Sequence, residues 1–305
     1  HHLKAGTLID RRFEVTRILG HGGYGEVYEA QQLSVQRKVA LKVLRPHLAG
    51  DHQAVSRFQN EARYACKLKH HNTVIYYDFG YDEEHKLLFL AMEFLQGQSL
   101  AEVLETQGAL SLELTTSVLF QICKSLDEAH SMGLVHRDIK PANILVDDSG
   151  HVWVADFGLA HFLNDDVTVT QTLGGSLRYM PPERFQGIGD ERSDIYGIGV
   201  TLYELAVGQP AFQAESPTQL VAQISRGEVP GLRAVRGDIP RDLETIIMKA
   251  MSPEPRLRYD SAVELLDDLG RFLDGRTILA RRSRIHERCW RWARRNPLLA
   301  STCTV

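Results

Sequence analysis

The sequence predicts an α+β chain of two lobes, a small, mainly antiparallel β lobe with one key helix followed by a large, mainly helical lobe. Three observations predict it. Apolar residues follow strand-like patterns through most of residues 8–95, and beyond Gly97 they recur at the three- and four-residue spacing of helices. The third is size: 305 residues, 43% hydrophobic and 24% charged, suffice for one large domain or two of ordinary size.

Phe13–Leu19 alternates, Glu26–Ala30 follows a glycine cluster, and Lys38–Leu44 is rich in β-formers, so each is expected as a strand. From Asp51 to Leu68 the period becomes helical, with Val55, Phe58, Ala62 and Ala65 on one face. Strands return at Thr73–Tyr81 and Lys86–Phe94, and Gly97 marks the junction. Helices are then expected over Ser99–Gln107, Leu112–Met132, Asp194–Val207, Thr218–Gly227, Arg241–Met251 and Ser261–Leu273. Two short strands interrupt them, Ile144–Val146 and Val152–Ala155, joined by the turn Asp147–Gly150. The expected organisation is an N-terminal extension over 1–12, a small lobe over 13–95, a large lobe over 96–275 and a basic segment over 276–305. The chain opens with His1-His2 and no methionine, as a tag remnant on a piece of something longer would.

The four cysteines, Cys66, Cys123, Cys289 and Cys303, are scattered and form no Cys-x-x-Cys pair. Neither a structural zinc nor a disulfide framework is suggested, and a reducing cytosol fits. A net charge of −4 gives no argument for nucleic acid, which is not expected as a partner. Between Arg271 and Arg295, however, nine arginines face only Asp274 and Glu287, so this segment carries +7 and the rest of the chain −11. Such asymmetry marks an interaction surface or a juxtamembrane segment. No run of eighteen apolar residues is present to span a bilayer.

Gly20-His-Gly22-Gly23-Tyr-Gly25-Glu-Val27 fits G-x-G-x-x-G-x-V, and glycine lets backbone approach a phosphate closely. A dinucleotide fold would need the glycines to open a helix and an acid about twenty residues on. Here a strand follows and the residue at that distance is Lys42. A G-x-x-x-x-G-K loop is excluded because Glu26 follows Gly25. The glycines therefore cover a nucleotide from a hairpin, or merely join two strands.

Further along stand His136-Arg-Asp138-Ile-Lys140-Pro-Ala-Asn143, then Asp156-Phe-Gly158, then Met180-Pro-Pro-Glu183. With the glycine hairpin and Val39-Ala-Leu-Lys42 they resemble, in order and spacing, the signature set of the protein kinase family, over about residues 10 to 272. The resemblance is to eukaryotic-like bacterial serine/threonine kinases. It implies the two-lobed protein-kinase fold and an enzyme that uses ATP and Mg2+ to phosphorylate protein Ser/Thr hydroxyls.

The resemblance also implies roles. Lys42 would hold the α- and β-phosphates, with Glu61, in Phe58-Gln-Asn-Glu61, holding the lysine. Asp156 and Asn143 would be magnesium ligands, Asp138 would take or orient the proton of the attacking hydroxyl, and Lys140 points to Ser or Thr acceptors. ATP would lie against Leu19, Gly20, Gly22, Gly23, Gly25 and Val27. Its base would sit between Val27 and Ala40 above and Leu145 below, with Met92 behind and the backbone of Glu93 and Leu95 at its edge. Asp194, Glu183 and Arg258 read as scaffold, the last two as a buried ion pair. Departures are mild: Pro181 for alanine, Ser176 for threonine, and His71 for the proline of the His-x-Asn turn.

Two other classes compete with the enzyme reading. A binding scaffold without turnover is opposed by the intact Lys42, Asp138, Asn143 and Asp156. A small-molecule phosphotransferase is opposed by Pro182-Glu183, Asp194 and Arg258, a substrate-platform segment that such enzymes usually lack. Arg137 before Asp138 implies docking of a phosphorylated threonine, with Thr172 best placed, then Thr170 and Thr168. Phosphorylation by a second copy of the chain in trans, as in a homodimer, is expected. Drawn as a helix, the tail puts Arg284, Arg288, Arg291 and Arg295 on one side, facing either solvent or anionic lipid. The expectation is a cytoplasmic kinase domain belonging to a single-pass membrane protein.

Overall fold

A computed structural model describes residues 2–22, 25–44, 52–157 and 175–280. Six strands, β1 (Leu8–Ile9), β2 (Phe13–Gly22), β3 (Gly25–Gln32), β4 (Arg37–Leu44), β5 (Tyr76–Asp82) and β6 (Leu87–Glu93), form an antiparallel sheet in the order β1-β2-β3-β4-β6-β5. Side chains on a strand alternate between faces. Val39, Leu41 and Val43 of β4 thus join Phe13, Val15, Tyr28 and Phe89 in one apolar cluster. Ala40, Lys42 and Leu44 take the other face and are buried there as well. A lysine on a strand covered on both sides is tolerable only beside an anion, and this fixes where the chemistry gathers.

The chain divides into two compact units, one of His1–Leu100 with Glu128–Leu177, the other of Ala101–Asp127 with Arg178–Val305. In the first, helix α1 (His52–Ala65) buries Phe58, Ala62 and Ala65, and Phe58 meets the Phe79 ring edge-on at 6.3 Å. A small sheet joins β7 (Gln98–Ser99), β8 (Ile144–Val146) and β9 (Val152–Val154). The strand expected from Thr73 begins only at Tyr76, because Thr73 and Val74 are drawn to β9 instead. Thr73 bridges Val154, Val74 N–H donates to Val154 O, and Asn72 Nδ2 donates to Val152 O. The β8–β9 turn is held by Asp147, whose carboxylate accepts from the N–H groups of Ser149 and His151.

The second unit is built on helices. Helices α2 (Leu100–Gln107) and α3 (Leu112–Ser131) start and end near their expected positions. Helix α4 (Glu191–Val207) starts three residues before the expected Asp194, because Asp190 caps it by accepting from Arg192 N–H. It ends at Gly208, where φ is +77° and a Cβ would lie 2.8 Å from Ala109 N, so no other residue fits. Helices α5 (Pro217–Arg226), α7 (Arg241–Ala250) and α8 (Ala262–Leu273) match their expected spans within a residue. The short α6 (Leu232–Val235) and the two-residue strands β1 and β7 are too brief to show a period, and the sequence does not predict them.

Candidate active site

The candidate site lies within the first unit and is built on two lysine–carboxylate pairs. On β4, Lys42 is paired in register with Val27 of β3 and Leu90 of β6. Its ammonium donates to Asp156 Oδ2 at 2.6 Å, with only 4% of the lysine side chain exposed. Burial opposes ionisation of Asp156, but the charge and hydrogen bond of Lys42, with Lys140 and His136 nearby, hold its carboxyl below the ordinary value. The second pair joins Lys140 Nζ to Asp138 Oδ2, also at 2.6 Å.

Local backbone geometry presents these groups. Arg137 and Asp156 adopt φ of +68° and +65°, the left-handed region that a non-glycine residue occupies only when its surroundings hold it there. His136, fully buried, supplies part of that hold. Its Nδ1 accepts from Asp138 N–H at 3.2 Å, so Nε2 carries the hydrogen that bonds Ala155 O at 2.7 Å. The ring therefore ties the loop of Asp138 to the segment of Asp156, and it packs on Phe157 with centroids 4.6 Å apart. Asn143 ends the short turn Pro141–Asn143, and its Nδ2 donates to Asp138 O at 2.8 Å and Oδ2 at 3.0 Å. That commitment leaves Oδ1 as the acceptor end of the amide. Ser176 Oγ accepts from Lys140 Nζ at 2.8 Å. Tyr76 Oη accepts from the N–H groups of Asp156 and Phe157.

At the glycine hairpin, Gly22 pairs with Gly25 and Gly20 with Val27. The two glycines at 20 and 25 serve different ends. A Cβ on Gly25 would sit 2.0 Å from Val43 O, so the sheet itself requires glycine there. A Cβ on Gly20 would meet no atom within 4 Å, so packing within the protein does not require that glycine. Ala40 faces Met92 across β4 and β6, both buried, while Val27, Glu93, Leu95 and Leu145 are partly exposed and Leu19 is 38% exposed. Glu93 N–H is engaged by Ile75 O at 2.8 Å. Glu61, on α1, has its Oε1 3.8 Å from Arg137 Nη1.

In the second unit Arg258, its side chain wholly buried, donates to both oxygens of Glu183 at 2.6 and 2.8 Å and to the carbonyls of Ser252, Arg192 and Pro253. Ser193 Oγ also donates to Glu183. Asp194 is buried in the first turn of α4. Gly23, Thr168, Thr170, Thr172 and the arginine-rich tail beyond residue 280 lie outside the described residues. Sequence reasoning missed His136 and Tyr76 as organising groups. His136 stood in the quoted motif, but nothing in the order of residues marks Tyr76 among its apolar neighbours.

Comparison with known proteins identifies the family. The protein kinase domain family matches residues 13–269. The chain is 34% identical over 284 residues to the serine/threonine-protein kinase PrkC of Bacillus subtilis, covering 92% of this chain and 44% of that protein. It spans less than half the length of the curated relatives it matches. Among solved structures, the kinase domain of Mycobacterium tuberculosis PknI matches with a TM-score of 0.72 and 27% identity, covering 89% of this chain and 99% of that one. Rad53, solved in complex with AMP-PNP, matches with a TM-score of 0.71 and 25% identity, covering 85% and 65%. With the β sheet, the helical unit and the paired lysines and carboxylates in place, the chain belongs to the protein kinase domain family, in its bacterial serine/threonine branch.

Proposed function

We propose that the full protein is a Mg-ATP-dependent serine/threonine kinase that transfers the γ-phosphoryl group to protein hydroxyls, with Lys42, Asp138, Lys140, Asn143 and Asp156 as its working residues. The observation that carries this reading is the doubled motif of a carboxylate held by its own lysine, Asp156 by Lys42 and Asp138 by Lys140, with Asn143 fixed on Asp138. Phosphoryl transfer needs charge neutralisation and in-line placement more than covalent chemistry.

The donor set suits the ligands. The Asp156 carboxylate and Asn143 Oδ1 are hard oxygen donors of the kind magnesium takes while keeping waters and phosphate oxygens. When bound there, magnesium would supply positive charge against the negative charge developing on the phosphate oxygens. Lys42 binds the α- and β-phosphates, with Glu61 as its orienting partner, and the open space at Gly20 admits a phosphate to the backbone. Glu93 N–H is already engaged, so the donor to the base edge falls to Leu95 and the base lies between Val27 and Ala40 on one side and Leu145 on the other, with Met92 behind. The Asp138 carboxylate accepts the proton of the acceptor hydroxyl, and Lys140 offsets the charge on that carboxylate and orients it. Glu183, Asp194 and Arg258 hold the segment that receives a protein substrate.

Thr172, Thr170 or Thr168 is the site of autophosphorylation in trans, which docks on Arg137. The arginine-rich tail approaches anionic lipid in a longer, membrane-anchored protein; among the described residues no helix is long and apolar enough to cross a membrane. The test is phosphate incorporation from labelled ATP with magnesium, comparing the chain with Asp138→Asn and mapping the sites by mass spectrometry. Phosphate on Ser or Thr that disappears in the variant is the expected result. Incorporation that persists unchanged in the variant would remove Asp138 from the role given to it, and none in either protein with ATP still bound would replace the enzyme by a nucleotide-binding scaffold.

A further inference from the structure

We propose that the hydroxyl of Tyr76 is a positioning group for Asp156, clamping the backbone of the Asp156-Phe157 step so that the aspartate carboxylate stays on Lys42. The inference rests on the reading of Asp156 as a magnesium ligand. Tyr76 opens β5 and is 3% exposed. Its Oη accepts from Asp156 N–H at 2.7 Å and from Phe157 N–H at 3.3 Å. The two consecutive N–H groups converge on one oxygen where Asp156 adopts a φ of +65°, as in the backbone nests that bind anions. Here a neutral phenol oxygen takes the anion's place.

The energetics give that oxygen a specific task. A left-handed aspartate costs free energy and persists only where its surroundings over-determine it. A buried N–H without an acceptor is costly too, so removing Oη would leave two such groups exactly where the backbone is strained. Relaxation of Asp156 to ordinary φ would relieve the strain, free the two N–H groups to turn towards other acceptors, and swing its carboxylate away from Lys42. Burial, with the Asp156 charge close by, pushes the phenol's own ionisation far up, so the group remains a neutral hydroxyl at any working pH. A valine or leucine at position 76 would fill the same apolar space and offer nothing to the two N–H groups.

The test uses the whole chain with Tyr76→Phe, which keeps the ring and removes the acceptor, alongside fluorinated tyrosine at 76, which keeps the oxygen but weakens it as an acceptor. In metal-free protein, amide hydrogen exchange at Asp156 and Phe157 should rise about tenfold or more in the phenylalanine variant, with the amides of Val154 and Leu90 unchanged. In phosphate transfer at saturating ATP, the magnesium concentration for half-maximal rate should rise about tenfold while ATP binding in EDTA is unaltered. Fluorotyrosine should fall between the two. Exchange and magnesium requirement both unchanged would overturn the inference. So would exchange that rises equally at Val154 and Leu90 with parallel loss of metal-free ATP binding, since that marks general packing, or a phenylalanine variant more active than the parent. Asp156→Asn run in parallel separates the two layers: full turnover there would sink the reading of Asp156 and the inference with it. An inactive Asp156→Asn beside a wild-type-like Tyr76→Phe would sink the positioning role alone.

Discussion

Arg258→Met should destabilise the second unit severely, and the structure sets the scale. The guanidinium is wholly buried and makes two bonds to Glu183 and three to backbone carbonyls. Methionine fills much of the space but donates nothing. Glu183 would keep Ser193 as a donor, at 3.0 Å, yet its charge would lose its countercharge in a buried setting. Breaking a buried pair on one side typically costs about 3–5 kcal/mol, the desolvated orphan accounting for much of it. For a domain of this size that corresponds to a fall in melting temperature of roughly 6–20 °C. Equilibrium unfolding in urea would measure it, with Glu183→Gln and the double variant completing a cycle. Because the double variant removes both charges, it should be more stable than the sum of the single losses implies. A loss below about 1 kcal/mol for Arg258→Met, or strict additivity in the cycle, would refute the argument that an orphaned charge sets the cost.

Two further outcomes rest on the glycine hairpin and on the Lys42–Asp156 pair. Gly25→Ala should destabilise by about 1–3 kcal/mol, because its Cβ would strike Val43 O, whereas Gly20→Ala should stay within about 0.5 kcal/mol and instead weaken ATP binding; thermal unfolding and nucleotide titration that failed to separate the two variants would contradict this. Asp156, with its carboxyl depressed in the folded state, contributes stability that is present above its ordinary value of 3.8 and lost as pH falls through the lower folded value. Lys42→Met removes the leading opposing charge and leaves burial to raise that carboxyl. The stability gap between parent and variant should therefore narrow as pH falls below 3.8 towards the lower folded value and widen to about 3–5 kcal/mol at neutrality, and denaturation curves showing a gap independent of pH would refute the assignment.

The sequence by itself determined the elements and the chemical inventory. Period-two and period-3.6 patterns placed most strands and helices within a few residues, since burial on one face imposes those periods wherever an element is long enough to show them. Five short motifs in order singled out Lys42, Asp138, Asn143 and Asp156 as candidates, because transfer of a phosphoryl group calls for such charges and for glycine near them. What the order of residues left open was which groups meet. That Asp156 lies against Lys42, 114 positions away, and that Asp138 is held by Lys140 and Asn143, depended on the tertiary structure. So did the separate meanings of Gly20 and Gly25, which stand in one motif but face open space and a carbonyl respectively. Tyr76 is the clearest case. In sequence it is one β-former among several, and only the fold brings its hydroxyl to two N–H groups 80 and 81 residues on. Local patterns encode burial, which acts residue by residue; hydrogen bonds between distant segments depend on ångström-scale placement, and that is set only when the whole sheet and its loops have closed.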